Sequence, residues 1–423
     1  MEVMYNKVLG IDVHQAVLAC CIVTCVNGEI VTTKKEFRTY GADLHEMAAW
    51  AKSENVDLVI MESTGIYWRT PYQVLEKVGI KSAVVNARQV KQMEGKKTDM
   101  GDAEWLAHLG RLGVFNRSYI PDILYRELRA VSRELMKLID DFSAEKNRFG
   151  KILTACGYRL YLVFSDILGV NATRAINALI EGKTPDEILG MLNLRILKKS
   201  PDEIRAALEG EMSQHHRVAL LAIRQHMDCL KELIANLRKY IKEEVEKIHH
   251  DAQLFLQTIP GISEDSAVMI LIELGGEDMS AFRKADRLAS WLGVCPGNNE
   301  SAGKRKHGHI RKGNYYLRRI LCECAQAAVK TKGTTFKSKF KSLRIRKKYK
   351  QALIAIVHKM VVCIFCVLKR KTGYVDPQIN YELESAAKNA RRWVKILCAL
   401  PNWKVAATDL MSGEIFQSAA QTA

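Results

Sequence analysis

The chain has 423 residues, 48% of them hydrophobic, and 64 Lys and Arg against 47 Asp and Glu, for a formal charge of +17. That length excludes a single ordinary core and predicts two or three domains. The basic excess, with a pI near 9.3, disfavours an acidic interaction module and points to a polyanionic partner, nucleic acid or an anionic membrane surface.

The first 110 residues predict alternating α/β structure. "KVLGIDVH" and "AVLACCIVTC" are strand-like, "NGE" (27–29) is a hairpin turn, and "IVTTKKEF" is a third strand. A helix over "DLHEMAAWAKSE", a strand over "VDLVIMES" (56–63), a helix through "YQVLEKVG", a strand at "SAVVN" and a further helix follow. Hairpins followed by strand–helix alternation imply a mixed sheet flanked by helices. Residues 123–157 and roughly 203–249 predict two long amphipathic helices, enough for an antiparallel hairpin or coiled-coil arm. From about 253 "LQTIPGISEDSAVMILIELGG" predicts helix, tight turn, helix. Between Arg283 and Lys350 stand 20 Lys and Arg and three acids, so this block alone carries an excess equal to the charge of the whole chain. No apolar run is read as long enough to span a bilayer. "ALIAIVHKMVVCIFCVL" (352–368) is interrupted by His358 and Lys359 and predicts a buried helix. The N-terminus lacks the order of a signal peptide. A cytoplasmic protein without membrane contact is expected, and its eleven scattered cysteines are then reduced thiols. Cys363 and Cys366 form a C-x-x-C inside that apolar helix, with no second pair at zinc spacing, and core packing explains them best.

Four acids stand out. Asp12 ends the apolar strand "VLGID" and Glu62 ends "LVIMES", while Asp99 and Asp102 open a helix in "GKKTDMGDAEWLA" (95–107), behind Lys96 and Lys97. Acids at two strand ends and one helix start can converge on one sheet edge, and an i, i+3 pair shares a helix face. Mg²⁺ is satisfied by a few carboxylates with water and substrate phosphate. Two such ions roughly 4 Å apart can stabilise the attacking and leaving oxygens of a phosphodiester. Ordinary roles compete: Asp12 as a strand end, Glu62 as a partner of Arg69, Asp99 as an N-cap and Asp102 as a favourable charge at the helix start. "GIDVH" also suits the first phosphate loop of actin-like sugar kinases, but the later glycine-rich loop they need is missing.

In the C-terminal part, "IPGIS" (259–263) fits a helix-hairpin-helix, whose turn amides around Gly261 can hold a DNA phosphate. "WLGVCPGNNESAGKRKHGHIRKGNYYLRRILCECA" (291–325) is loop-like, then basic, then helical from about Asn314. Ser301 lies there beside Lys304, Arg305 and Lys306, and a serine so placed could attack a phosphodiester and conserve the bond energy in a phosphoserine. Tyr315 and Tyr316 are rival nucleophiles, better explained by packing or base stacking. His307 and His309 lack partner cysteines for zinc. Arg311, Lys312, Arg318 and Arg319, with Lys347 and Lys348 of "FKSKFKSLRIRKKYK" (336–350), complete a basic surface interleaved with aromatics, suited to nucleic-acid backbones.

"GIDVH", "MESTGIYW", "KKTDMGDAEWLA", "IPGIS" and "CPGNNESAGKRKHGHIRKGNYYLRR", in this order, resemble the DEDD transposases of bacterial insertion sequences. The match is to insertion-sequence family 110, with its subgroup 1111 and the related Piv-type DNA invertases. Ala302 between Ser301 and Gly303 follows the subgroup's form. The resemblance implies a RuvC-like, RNase H-type catalytic domain over 1–120, with Asp12, Glu62, Asp99 and Asp102 as its Mg²⁺ ligands. It further implies a helical arm over 121–252, a transposase domain with catalytic Ser301 over 253–373, and a helical extension and tail over 374–423. The implied partners are donor and target DNA, a noncoding bridge RNA of the element, and further copies of the chain in a dimer or tetramer, the serine of one protomer meeting the acids of another. A metal-dependent, Holliday-junction-type endonuclease without a covalent intermediate is the alternative.

Overall fold

The structure is a computed structural model. It describes residues 3–63, 65–86, 98–295, 300–301, 304–305 and 310–399, with the backbone alone for Glu300, Ser301, Lys304, Arg305 and Leu397. The chain divides into two units, Met1–Ile123 and Leu124–Ala423.

The first unit holds strands β1 (Val8–Val13), β2 (Val17–Val26), β3 (Glu29–Arg38), β4 (Leu58–Glu62) and β5 (Ser82–Val85) in the order β3-β2-β1-β4-β5. β1 runs antiparallel to β2 and parallel to β4; β2–β3 is antiparallel and β4–β5 parallel. The sheet is therefore mixed, as the sequence predicts. Asn27 and Gly28 both take positive φ (51° and 88°) in the β2–β3 turn, the conformation an Asn-Gly hairpin adopts at least cost. Helices α1 (Gly41–Ser53) and α2 (Arg69–Lys77) supply Leu44, Met47, Val74 and Leu75 to the core on one face, against Leu9, Ile11 and Val13 of β1. The other face, with Val8, Leu58 and Ile60, is covered by Ala103, Leu106 and Ala107 of α3 (Asp99–Leu112).

Two glycines let α3 lie directly on the sheet. A Cβ on Gly10 would stand 1.9 Å from the carbonyl oxygen of Ala103, and one on Gly110 would stand 2.7 Å from Val8 Cγ1. The alternation of a strand then decides which residues meet the helix. Val8, Gly10 and Asp12 of β1, and Leu58, Ile60 and Glu62 of β4, share the α3 face.

The second unit is helical. α4 (Ile123–Ala155) matches the predicted first long helix. The predicted 203–249 helix does not run unbroken. After α5 (Val170–Glu181) and α6 (Pro185–Met191), α7 (Pro201–Ala207) stops, and α8 (Gln214–Gln257) starts at a Ser213 cap. The break has a physical cause: a Cβ on Gly210 would meet the Cys156 carbonyl oxygen at 2.6 Å, and Glu211 N donates to that same oxygen. These short helices bury Phe149, Leu160, Ile176, Ile188, Ile204 and Leu220 together in a small core of their own.

The Ser263 cap opens α9 (Glu264–Leu274), followed by α10 (Ala285–Leu292), α11 (Tyr315–Ala328), α12 (Thr335–Arg344), α13 (Tyr349–Arg370) and α14 (Tyr381–Cys398). α13 corrects one reading: it is long and apolar enough to cross a membrane by length and composition. Even so, Leu353, Ile356, Val357, Met360 and Ile364 are buried, as a core helix requires. Burial pushes the Cys363 thiol in this helix up to about 11, which suits packing rather than redox or metal chemistry.

Candidate active site

Asp12 is the last buried polar residue of β1 and is 8% exposed. β4 runs beside it in parallel register, Ile11 opposite Met61, so Glu62 follows one residue on at the same sheet edge. α3 begins over this edge. Its N-cap is Thr98, whose hydroxyl accepts from Gly101 N at 3.1 Å, so Asp99 is not the cap. Asp99 is left with its side chain 70% exposed, 3.5 Å from His14 Nε2. Asp102 occupies the same first turn.

His14 is a member that the sequence reading passed over. Its Nε2 stands 3.1 Å from Asp12 Oδ2, and ligand atoms of Asp12, His14 and Asp99 all lie within 4.8 Å of one another. The signal was the strand period, since residue 14 has the same parity as Gly10 and Asp12. Glu62 and Asp102 lie outside this tight trio, yet their charges reach Asp12. Burial pushes the Asp12 carboxyl above its ordinary value, the His14 ring pulls it back, and the negative charges of Asp102 and Glu62 push it up again.

The donor set fits a hard divalent cation. It is mostly carboxylate oxygen, half open to solvent, and its like charges are held together where a cation would offset both their repulsion and the burial of Asp12.

The serine segment lies in the second unit. Glu300–Ser301 pairs antiparallel with Lys304–Arg305, Ser301 opposite Lys304. Lys96, Lys97 and Lys306, like His307 and His309, lie outside the described residues. Arg311, Lys312, Lys347 and Lys348 are exposed. Arg319 is engaged: its guanidinium forks onto Asp140 of α4 at 2.5 and 2.6 Å, and a phosphate would have to displace that carboxylate. Arg318 donates to the Arg311 carbonyl oxygen at 3.2 Å. Tyr316 lies under Arg133 at 4.4 Å, a packing role. Gly261 has φ +88°, and a Cβ there would stand 2.3 Å from the Cys324 carbonyl oxygen of α11, so close packing explains this glycine.

Residues 9–157 match a DEDD transposase family of IS110, described as "Transposase", and residues 253–341 match the "Transposase IS116/IS110/IS902 family". Together the two matches cover more than half of the chain. The chain belongs to this transposase family. The first match contains Asp12, Glu62, Asp99 and Asp102, and the second contains Gly261 and Ser301.

Similar proteins include a "Probable family 20 transposase" of Pseudomonas aeruginosa, 28% identical over 37% of this chain and 46% of the relative. An "Insertion element IS900 uncharacterized 42 kDa protein" of Mycobacterium paratuberculosis is 25% identical over 48% and 55%. A "Pilin gene-inverting protein" of Moraxella bovis is 26% identical over 43% and 62%. The chain thus spans about half to three fifths of the length of these relatives. Among solved structures, Thermus thermophilus RuvC matches 26% of this chain and 99% of its own, at 13% identity and a TM-score of 0.22. The same protein in complex with a Holliday junction substrate matches 27% and 99%, with the same identity and TM-score.

Proposed function

We propose that this chain is a DNA recombinase that cuts and rejoins strands to move an insertion sequence. Its acidic site sits in a RuvC-like, RNase H-type domain, and a noncoding bridge RNA guides it to donor and target DNA. The observation that carries the reading is the shared face of Asp12, Glu62 and the first turn of α3, with a buried carboxylate at its centre. An acid there costs stability unless it is used. Family membership and the similarity to the Moraxella pilin gene-inverting protein support strand exchange as the use.

Asp12, Glu62, Asp99 and Asp102, with His14 at their side, would hold Mg²⁺. Bound there, the cation supplies Lewis acidity to a hydroxyl nucleophile and to the leaving oxygen. Ser301 is the nucleophile of the reading. Its Oγ forms a bond to phosphorus, its proton passes to a base or to water, and the bond from phosphorus to the deoxyribose oxygen breaks. That oxygen leaves as a strand end. A strand hydroxyl attacking the phosphoserine reverses these changes and frees Ser301, so no ATP is consumed. Arg311, Lys312, Lys347 and Lys348 bind phosphates without reading sequence. The working unit is a homo-oligomer, a dimer or tetramer, and acts in the cytoplasm on nucleoid DNA.

The test is to incubate the protein, its element's RNA and DNA carrying donor and target sites with Mg²⁺, denature, and look for DNA-linked protein. An adduct lost in Ser301→Ala supports the reading. Free nicked DNA from both proteins, with no adduct, overturns it in favour of a metal-dependent junction endonuclease using the acids and water.

A further inference from the structure

One buried carboxylate in the second unit gathers several donors. Glu273, near the C-terminus of α9, is fully buried at the end of the apolar run that starts at Ala267. Arg133 of α4 donates to both of its carboxylate oxygens, Nε to Oε1 at 2.8 Å and Nη2 to Oε2 at 2.9 Å. Asn314 Nδ2 donates to Oε2 at 2.7 Å. Arg129, one helical turn before Arg133, has its Nε 3.7 Å from the same carboxylate and donates to the carbonyl oxygens of Ile272 and Glu273 that end α9. One carboxylate therefore joins α4, the end of α9 and the start of α11.

The start of α11 is where the serine-bearing segment returns. Asn314 is the N-cap of α11, and its Oδ1 accepts from Leu317 N at 3.1 Å while its amide holds Glu273. The segment's two ends are pressed together just before it. A Cβ on Gly293 would stand 2.5 Å from the Arg311 carbonyl oxygen, and one on Gly313 would stand 2.3 Å from the Leu292 carbonyl oxygen. The base of the segment is thus pinched between two glycines and tied through Asn314 to a buried ion pair.

A buried carboxylate that keeps two arginines is costly to assemble, and an apolar residue of similar volume often serves stability as well or better. What a fork with fixed geometry adds is position. We propose that Glu273 is a positioning residue that, acting through Asn314, holds the base of the segment carrying Ser301 in the geometry that strand attack needs. The proposal rests on the serine reading given above.

Two variants test it. Asn314→Ser keeps a good helix cap but cannot reach Glu273. Glu273→Gln keeps the shape and turns an amide donor toward donors. Three readouts are compared with wild type: thermal unfolding, the rate and KM of Ser301–DNA adduct formation, and limited trypsin cleavage within 304–312. For Asn314→Ser, the Tm should fall by only a few degrees, because one of the donors to the Glu273 carboxylate is lost while Arg133 still holds it, and KM should be unchanged. Adduct formation should fall at least tenfold in kcat, and trypsin should cut the segment at least tenfold faster with other sites unaffected. Glu273→Gln should show the same pattern with a lower Tm.

Wild-type adduct rates in a folded Asn314→Ser whose segment is cleaved faster would overturn the positioning role. Unchanged cleavage in both variants would overturn the joint itself. Absence of any Ser301-dependent adduct from wild type would overturn the serine reading and the positioning role with it. The trypsin pattern tells that failure apart, because it reports on the joint without any chemistry.

Discussion

Alanine in place of Gly10 should lift α3 from the sheet and open the acidic site. The added Cβ would stand 1.9 Å from the Ala103 carbonyl oxygen and 2.7 Å from Ala107 N, both backbone atoms that cannot rotate away. Either β1 or α3 must therefore move, and a cost of about 3 kcal/mol, the upper end for overpacking, is expected. For a unit of this size about 1 kcal/mol shifts Tm by roughly 4 °C, so the N-terminal unit should melt about 12 °C lower. Any outward shift of α3 also carries Asp99 and Asp102 away from Asp12, so Mn²⁺ affinity by calorimetry should drop with the Tm. Gly41→Ala is the control, because a Cβ there meets nothing within 4 Å. A Gly10→Ala protein with wild-type Tm and Mn²⁺ affinity would refute the argument that the two glycines set the site.

Asp12→Asn should melt higher than wild type without metal near neutral pH. A carboxyl raised in the folded state is penalised once pH exceeds that raised value and is not penalised below its ordinary 3.8, so the gap should close as pH falls toward that value. Adding Mg²⁺ should raise the Tm of wild type alone, and scanning fluorimetry over a pH series reads both effects. Thr98→Ala should cost about 1 kcal/mol in urea unfolding of the first unit, with Thr98→Ser nearly neutral, because the cap bond to Gly101 N is lost only in the first. Lys347→Ala and Lys348→Ala should each lower the salt slope of DNA binding by about one. Arg319→Ala should leave that slope unchanged, since its guanidinium already serves Asp140.

Much of the first unit was legible because local rules were not overridden. The Asn27-Gly28 turn and the apolar strands are short-range features. The long helix over 203–249 was misread because its apolar stripe continues across Gly210, and nothing local announces that this glycine must press against the Cys156 carbonyl oxygen. The basic block was read correctly as charge, yet charge alone did not separate exposed Lys347 from Arg319, which is paired across α4 and α11.

By itself the sequence determined the residue types and their order: acids after apolar strands, a capped acidic helix start, a basic C-terminal block and the motifs that mark the family. Tertiary structure decided which of them meet. Strand parity and the β1–β4 register put Asp12 and Glu62 on the face where α3 begins, and Gly10 and Gly110 bring that helix down onto it. His14 came up to Asp99, and Glu273 acquired partners more than forty residues before and after it in the chain. These are contacts between distant segments, and a carboxylate's environment depends on what folding places beside it.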